Sequence, residues 1–354
     1  MTIDALGGQG RPIFLHGMWR SGSTFIWSRF RALSSTCCFY EPLHHGLARL
    51  TAAKIHRDTP EVIAGNKHPE LSAPYFAEFA PLLKSRGVRG YRRTLAYHRF
   101  ALEPGAAHPE LGRYIDGLLN HARERGETAV LGFNRSGLRI GWLRETFSAY
   151  DVLVERDPRQ IWWSYVQQAR KGNYFFLQKW LFVLECNADH PLFAPLAAQM
   201  PLRRGPQRFA AGEKPYYRRV LQLMPPDQVY LMVFYMWLLQ AVHALTHCDL
   251  VIDLERCADP PYRTRLTEKI GKAASLLVRF DEARPARELS GRLLAFDRIE
   301  REALAMMPFK ALAPFADWTK VLFRLPELSP RLAELLADEW MGKAAPASLL
   351  RRIG

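Results

Sequence analysis

A short segment near the N-terminus has the residue types of an anion-binding loop. Residues Gly17 to Thr24 read GMWRSGST and directly follow the apolar run Ile13 to Leu15. This order fits the frame Gly-x4-Gly-x-Ser/Thr, which cradles phosphate between a strand and a helix. The glycines allow a tight turn whose N–H groups point into one concavity, and the helix adds its N-terminal N–H groups and dipole. The residues of this loop predicted to hold the anion are Arg20, Ser21, Gly22, Ser23 and Thr24.

The loop lacks the lysine that normally precedes the final hydroxyl residue. Ser23 occupies that position, and the positive charge lies inside the loop at Arg20. In an ordinary nucleotide hydrolase the lysine reaches the terminal phosphates and the hydroxyl residue holds Mg²⁺. A guanidinium instead chelates two oxygens at once. The displaced charge therefore predicts a different kind of ligand, with an accidental Gly/Ser-rich turn as the alternative.

A second candidate anion clasp follows a later apolar run. Residues 152–159 read VLVERDPR, and the predicted helix begins with Asp157 as its cap and Pro158 in its first turn. Arg156 ends the strand, and Ser164 lies eight residues further on. The two side chains could hold one further phosphate, or Arg156 could simply pair with Asp157.

Alternating strand and helix patterns predict an α/β protein with a parallel sheet between two helical layers. The predicted strands are Ile13–Leu15, Cys37–Tyr40, Ala129–Phe133, Asp151–Glu155 and Asp249–Asp253. Each of them is followed by polar residues: the glycine-containing segment, then Glu41, Asn134 with Arg135, Arg156, and Asp253 to Glu255. Because ligands of open parallel sheets bind beyond the carboxyl ends of the strands, these residues predict one shared site.

One domain accounts for most of the chain. It is predicted over residues 11–330 of 354, with helical insertions at about 47–125 and 171–228. A short tail, 1–10, precedes the domain, and a helical tail, 331–354, follows it.

Composition predicts a cytoplasmic protein with a basic surface. The hydrophobic content of 48% suits a packed core, and the formal charge of +14 attracts anionic ligands, nucleic acid or acidic membranes without distinguishing them.

The five cysteines lack metal-ligand spacing and are expected to be reduced thiols. The start of the chain does not resemble a secretion signal. The apolar stretch Val229 to Leu245 is interpreted as a core helix rather than a transmembrane segment.

Together the two anion motifs resemble those of sulfotransferases that use 3′-phosphoadenosine 5′-phosphosulfate. The matching segments are GMWRSGST at residues 17–24 and VERDPR at 154–159, with Ser164 after them. The segment FYEPLH at 39–44 is similar to the carbohydrate-type branch, and the resemblance covers the sheet core. The resemblance implies a three-layer α/β fold of the P-loop type. The sequence departs from the family pattern at Asp253, where an aromatic residue is common.

The resemblance also implies roles for the site residues. The first loop would hold the 5′-phosphosulfate, and Arg156 with Ser164 would hold the 3′-phosphate. Arg20 takes the place of the basic catalytic residue, where it would stabilise charge on the departing oxygen. Glu41 is the candidate base for the acceptor hydroxyl, with His44 and His45 as alternates. Glu41 could instead form an ion pair with Arg20 or cap a turn.

Two other classes of protein remain open. A Mg²⁺-dependent P-loop kinase would use Asp253 to orient the metal, whereas the sulfotransferase interpretation expects no metal site. A nucleic-acid-binding protein would use the basic charge, although no nucleic-acid-binding signature is present. The expected acceptor is a hydroxyl compound such as a sugar, lipid or small molecule, and the Arg-rich insertions make a glycan or anionic acceptor plausible. The sequence does not indicate an oligomeric state.

Overall fold

The computed structural model covers the sheet and most of the surrounding helices. It describes residues 10–57, 71, 73–202, 213–281, 289, 294–328, 331 and 334–335. Apart from Gly10, the predicted N-terminal tail (1–10) lies outside these residues. So does most of the predicted C-terminal helical tail (331–354), and nothing further is concluded about either tail.

Five parallel strands form the centre of the molecule. In sheet order β2-β3-β1-β4-β5, they are β2 Thr36–Tyr40, β3 Thr128–Phe133, β1 Ile13–Gly17, β4 Tyr150–Glu155 and β5 Leu250–Asp253. Nearly all of their residues are buried, as expected for a parallel sheet covered on both faces. The predicted parallel α/β sheet is confirmed, and β1 runs two residues further than its apolar run suggested.

Helices cover both faces of the sheet. Those described are α1 Ser23–Arg31, α2 Ala52–Ile55, α3 Pro109–Glu124, α4 Ile140–Phe147, α5 Pro158–Arg170, α6 Phe175–Cys186, α7 Ala194–Gln199, α8 Glu213–Leu223, α9 Pro226–His247, α10 Pro260–Ala274, α11 Phe296–Ala305, α12 Phe309–Leu312 and α13 Trp318–Arg324. Ile13 and Leu15 of β1 share a core with α1 and α10. Phe14 enters the opposite core, with α3 and α4, because side chains alternate along a strand.

Helix α9 lies at the centre of a group of helices. Every residue from Val229 to Thr246 is buried, so this helix is apolar on all sides and packs against α4, α5, α11 and α13. Its 22 residues are long and apolar enough to cross a membrane, but the apolar stretch is completely enclosed by the protein. A single helix of this kind is weak evidence for membrane insertion, and its burial matches the predicted core helix.

The segment between β2 and β3 fixes the chain where β2 ends. It contains α2, α3 and three short 3-10 helices, His45–Arg49, Ala77–Leu82 and Arg93–Ala96. The Tyr114 hydroxyl donates to the carbonyl of Pro42 at 2.7 Å, and the Tyr91 hydroxyl donates to the carbonyl of Leu43 at 3.1 Å. These buried hydrogen bonds hold the turn that carries Glu41.

Candidate functional site

The glycine loop, residues 17–24, connects β1 to α1 at the carboxyl edge of the sheet. Arg20 and Gly22 both adopt positive φ angles, 70° and 85°, and the Ser21 N–H donates to the Met18 carbonyl at 3.2 Å. A side chain at position 22 would overlap Leu254, since a Cβ atom there would lie 2.3 Å from Leu254 Cδ2. The loop is followed by α1, whose N-terminus has no side-chain cap. This helix end can therefore offer N–H groups to an anion.

Both residues of the second predicted clasp contact the glycine loop directly. Arg20 Nε donates to Ser164 Oγ at 2.9 Å, and Arg156 Nη1 donates to the carbonyl oxygen of Arg20 at 3.0 Å. The contact arises because β4 lies beside β1, and α5 begins just after Arg156. The sequence predicted that Arg156 and Ser164 lie in the same cleft as the glycine loop. It did not predict that both would contact Arg20 directly.

The two guanidinium groups make this part of the site electropositive. Burial lowers the pKa of Arg20 and of Arg156, and the pKa of Arg156 is lowered further by the charge of Arg20 and raised by Glu255 and Asp157. Arg156 does not pair with Asp157, which was the alternative. Among the described residues, Arg156 forms no ion pair, and its buried Nε has no hydrogen-bond partner. A bound anion would satisfy a desolvated cation of this kind.

Glu41 lies opposite the loop in a buried polar cluster. Its carboxylate accepts hydrogen bonds from Asn134 Nδ2 at 3.0 Å and Arg135 Nη1 at 2.5 Å. Burial would raise the pKa of Glu41, but the charge of Arg135, that of His44 and the two hydrogen bonds outweigh burial and lower this pKa. Glu41 therefore stays ionised near neutral pH. Its ion-pair partner is Arg135, not Arg20 as the alternative interpretation had it.

Arg135 and Asn134 also connect Glu41 to the glycine loop. The Arg135 guanidinium lies over the Trp19 ring at 4.6 Å, and Asn134 Oδ1 accepts a hydrogen bond from Ser23 Oγ at 2.8 Å. Sequence reasoning placed Asn134 and Arg135 at the site edge but gave them no role. Their position after β3, which lies between β1 and β2, was the only signal available.

The alternate bases, His44 and His45, lie outside the cleft lining. His44 Nδ1 accepts a hydrogen bond from the Gly46 N–H at 3.1 Å, and burial lowers the pKa of His44 to about 4 despite the nearby Glu41. Burial also lowers the pKa of His45, whose ring packs between those of Tyr97 and Phe175. The geometry thus favours Glu41 as the group that faces a ligand.

An open cleft of about 160 Å³ brings these features together. It is lined by Trp19, Arg20, Gly22, Ser23, Thr24, Phe25, Tyr40, Glu41, Asn134, Arg156 and Phe176. The predicted site residue Ser164 does not line the cleft, but it contacts Arg20, which does. The Ser21 hydroxyl does not line it: this buried oxygen has no hydrogen-bond partner within the described structure and borders a separate, smaller cavity.

Asp253, the residue that a Mg²⁺-dependent kinase would use, does not line the cleft at the glycine loop. It ends β5, which β4 separates from β1. Its Oδ1 accepts hydrogen bonds from the N–H groups of Glu255 at 2.9 Å and Arg256 at 3.4 Å. Within the described part of the chain, no group of three or more His, Cys, Asp or Glu side chains is arranged to hold a metal ion.

Comparison with known proteins adds no relative. No protein-family model matches the chain, and no curated protein or solved structure matches it either. Any assignment of function therefore depends on the residues and geometry of the cleft.

Proposed function

We propose that this protein is a sulfotransferase with a P-loop-type site, which moves a sulfuryl group from 3′-phosphoadenosine 5′-phosphosulfate to an acceptor hydroxyl. The observation that carries the proposal is the contact of Arg156 and Ser164 with Arg20. Two desolvated cations, Arg20 and Arg156, and an uncapped helix end then line one cleft, and the Ser164 hydroxyl binds one of these cations. A ligand with two separate anionic groups fits this arrangement better than one with a single charge.

Each anionic group of the donor has its own set of partners. The N–H groups of the glycine loop, with the Ser23 and Thr24 hydroxyls, would bind the 5′-phosphosulfate. Arg156 and Ser164 would bind the 3′-phosphate through charge-assisted hydrogen bonds. No step requires a metal, because the two guanidinium groups supply the positive charge.

The transfer step breaks the bond between sulfur and the bridging phosphate oxygen and forms one between sulfur and the acceptor oxygen. Arg20 would stabilise the negative charge that accumulates on the departing oxygen. Glu41 would accept the proton of the acceptor hydroxyl. The ion pair with Arg135 weakens Glu41 as a base, so proton transfer is expected only after the acceptor oxygen has begun to bond to sulfur and its proton has become acidic.

The acceptor would approach along the aromatic wall of the cleft. Trp19, Phe25, Tyr40 and Phe176 line the same cleft as Glu41. Trp19 and Tyr40 are almost fully buried, so the half-buried rings of Phe25 and Phe176 are the ones that would contact a sugar or another flat group. All five cysteines are free thiols, in keeping with a cytoplasmic enzyme. A screen of sugars, lipids and small hydroxyl compounds with labelled donor would identify the acceptor class.

Thermal unfolding with candidate ligands tests the proposal. We expect 3′,5′-adenosine bisphosphate to raise the melting temperature with or without EDTA, and ATP with Mg²⁺ to have little effect. Stabilisation by ATP that requires Mg²⁺ would favour the kinase alternative. Steeply salt-dependent binding of random oligonucleotides, without any response to nucleotide, would favour the nucleic-acid alternative.

A matched pair of variants shows whether the bisphosphate occupies the cleft. Arg156→Ala should weaken its binding roughly 10- to 100-fold, since a hydrogen bond to a charged group contributes about 1.5–3 kcal/mol. Arg123→Ala removes an exposed arginine from α3 and should leave affinity unchanged. Equal affinities of the two variants would overturn the assignment.

A further inference from the structure

A second, smaller cavity lies beneath the glycine loop. Its volume is roughly 20 Å³, which is enough for about one water molecule. The residues that border it include Ser21, Glu155, Arg156 and Gln240. Helix α9 closes it from below through Gln240. The cavity is distinct from the cleft, although Arg156 borders both.

Glu155 is the unusual residue in this cavity. It ends β4 and is only 3% exposed, yet neither carboxylate oxygen has a hydrogen-bond partner in the described structure. Ser21 and Arg156 border the same space, and the Ser21 hydroxyl and Arg156 Nε are also buried with no hydrogen-bond partner among the described residues. Three unsatisfied polar groups around a water-sized space are costly unless a proton or a bridging molecule links them.

The charges around Glu155 oppose its ionisation. Its charge is repelled by the carboxylates of Asp253 at the end of β5, Asp157 just before α5 and Glu255 just after β5. Burial and then these three carboxylates raise the pKa of Glu155 well above its ordinary value of 4.5.

Two further groups complete its surroundings. Arg156 is adjacent in sequence, but it makes no hydrogen bond to Glu155, and its Nη1 donates to the Arg20 carbonyl. His16 of β1 borders the cavity too, but both of its ring nitrogens are engaged, by Ser136 at 2.6 Å and Asp151 at 3.0 Å. Neither group therefore forms a direct ion pair or hydrogen bond with Glu155.

We propose that Glu155 is a positioning residue that acts as a neutral carboxylic acid, supporting the glycine loop through Ser21 and leaving Arg156 available to the ligand. Its proton can be shared with the Ser21 hydroxyl through one water in the small cavity. Loss of that proton would place a negative charge beside Arg156, which also lines the cleft proposed to bind the anion. Anion binding and protonation of Glu155 are therefore linked. The identity of the anion rests on the proposed function, whereas the linkage does not.

Linkage predicts that the bound anion and the Glu155 proton favour one another reciprocally. Binding of 3′,5′-adenosine bisphosphate should take up protons at a pH where Glu155 is partly ionised in the free protein. With one linked proton, affinity should fall by at most about tenfold per pH unit as pH rises.

Isothermal titration calorimetry of the full chain in buffers of different ionisation enthalpy measures this proton uptake. The comparison is with Glu155→Gln, which keeps the shape of the side chain but cannot ionise, and with Glu145→Gln, an exposed position on α4. We expect Glu155→Gln to lose part of the uptake and to bind with a flatter pH profile. Subtraction of the variant cancels protons taken up by the ligand itself. Identical uptake and profiles in all three proteins would overturn the proposal.

Stability without ligand tests the same claim independently of the proposed function. A carboxyl whose pKa is raised on folding destabilises the protein increasingly as pH rises above the unfolded value of 4.5, until the folded-state pKa is passed. Glu155→Gln should therefore gain melting temperature over wild type between pH 5 and 9, and Glu155→Met, a second non-ionisable variant, should show the same trend. Parallel pH–stability curves of wild type and the two variants would contradict a neutral Glu155. So would a wild-type stability that depends on K⁺ concentration instead of pH, because a bound cation would then compensate an ionised Glu155. Failure of the bisphosphate to bind would reject the proposed ligand and leave this test intact.

Discussion

At the scale of single residues, Glu41 and its partners decide whether the cleft performs the proposed chemistry. Glu41→Gln should lower turnover by roughly 10²- to 10⁴-fold, because general bases contribute about that much. Donor affinity should change little, since Glu41 is assigned to the acceptor. Single-turnover rates at saturating donor measure the effect. An unaltered rate would move the base to His44 or His45, although neither lines the cleft.

Arg20 is expected to affect the chemical step more than folding. Arg20→Ala should lower turnover roughly 10²- to 10³-fold, as loss of one transition-state donor does elsewhere. Arg20→Lys should recover only part of this, because lysine cannot chelate two oxygens. Turnover and thermal unfolding measured on the same preparations separate the two effects. A stability loss that accounts for all of the lost activity would contradict a catalytic role.

Residue roles could be predicted only in part from the sequence. Residue types and spacing brought out Arg20, Glu41, Arg156 and Ser164, because loops after parallel strands are recognisable as short motifs. The sequence could not show that Arg135 is the partner of Glu41, since a buried ion pair depends on the register of β2 and β3. Ser21 shows the same limit: its hydroxyl points away from the cleft.

At the scale of elements, the glycine loop depends on a backbone conformation that only glycine adopts at position 22 without overlap. Gly22→Ala should destabilise the protein by more than about 1 kcal/mol and weaken anion binding, because φ is 85° and Leu254 fills the space. Gly126→Ala is a matched control, with φ of 71° and no atom of the described residues within 4 Å of the added Cβ.

Chemical denaturation and bisphosphate titration of both glycine variants separate backbone strain from overlap. Both variants should be destabilised by the backbone strain of a positive φ angle, and only Gly22→Ala should also bind the bisphosphate more weakly. Equal stability losses with unchanged affinity would show that the loop accommodates a side chain.

The strands themselves were predictable, but their order was not. All five apolar runs form strands close to their predicted positions, because a strand buried on both faces is a continuous apolar run. No local signal places β4 next to β1 and β3 on its other side. That order brings Arg156 to Arg20 across 136 positions of sequence. The site was thus predictable as an edge of the sheet, not as a set of contacts.

At the scale of the whole molecule, two buried glutamates should shift stability with pH in opposite directions. The pKa of Glu41 is lowered on folding, so its ion pair stabilises the protein above the unfolded value of 4.5 and is lost as pH falls through the folded-state pKa. Removing one partner of a buried ion pair typically costs roughly 3–5 kcal/mol. Glu41→Gln should therefore be less stable than wild type at neutral pH, by a margin that shrinks in acid.

Melting curves of wild type, Glu41→Gln and Glu155→Gln between pH 3 and 9 measure both effects in one experiment. The deficit of Glu41→Gln should be constant above about pH 5 and decrease below it, whereas the advantage of Glu155→Gln should grow with rising pH. Opposite signs are expected because Arg135 compensates the charge of Glu41, while carboxylates surround Glu155. A deficit of Glu41→Gln that persists unchanged into acid would mean that the Arg135 ion pair does not stabilise the fold.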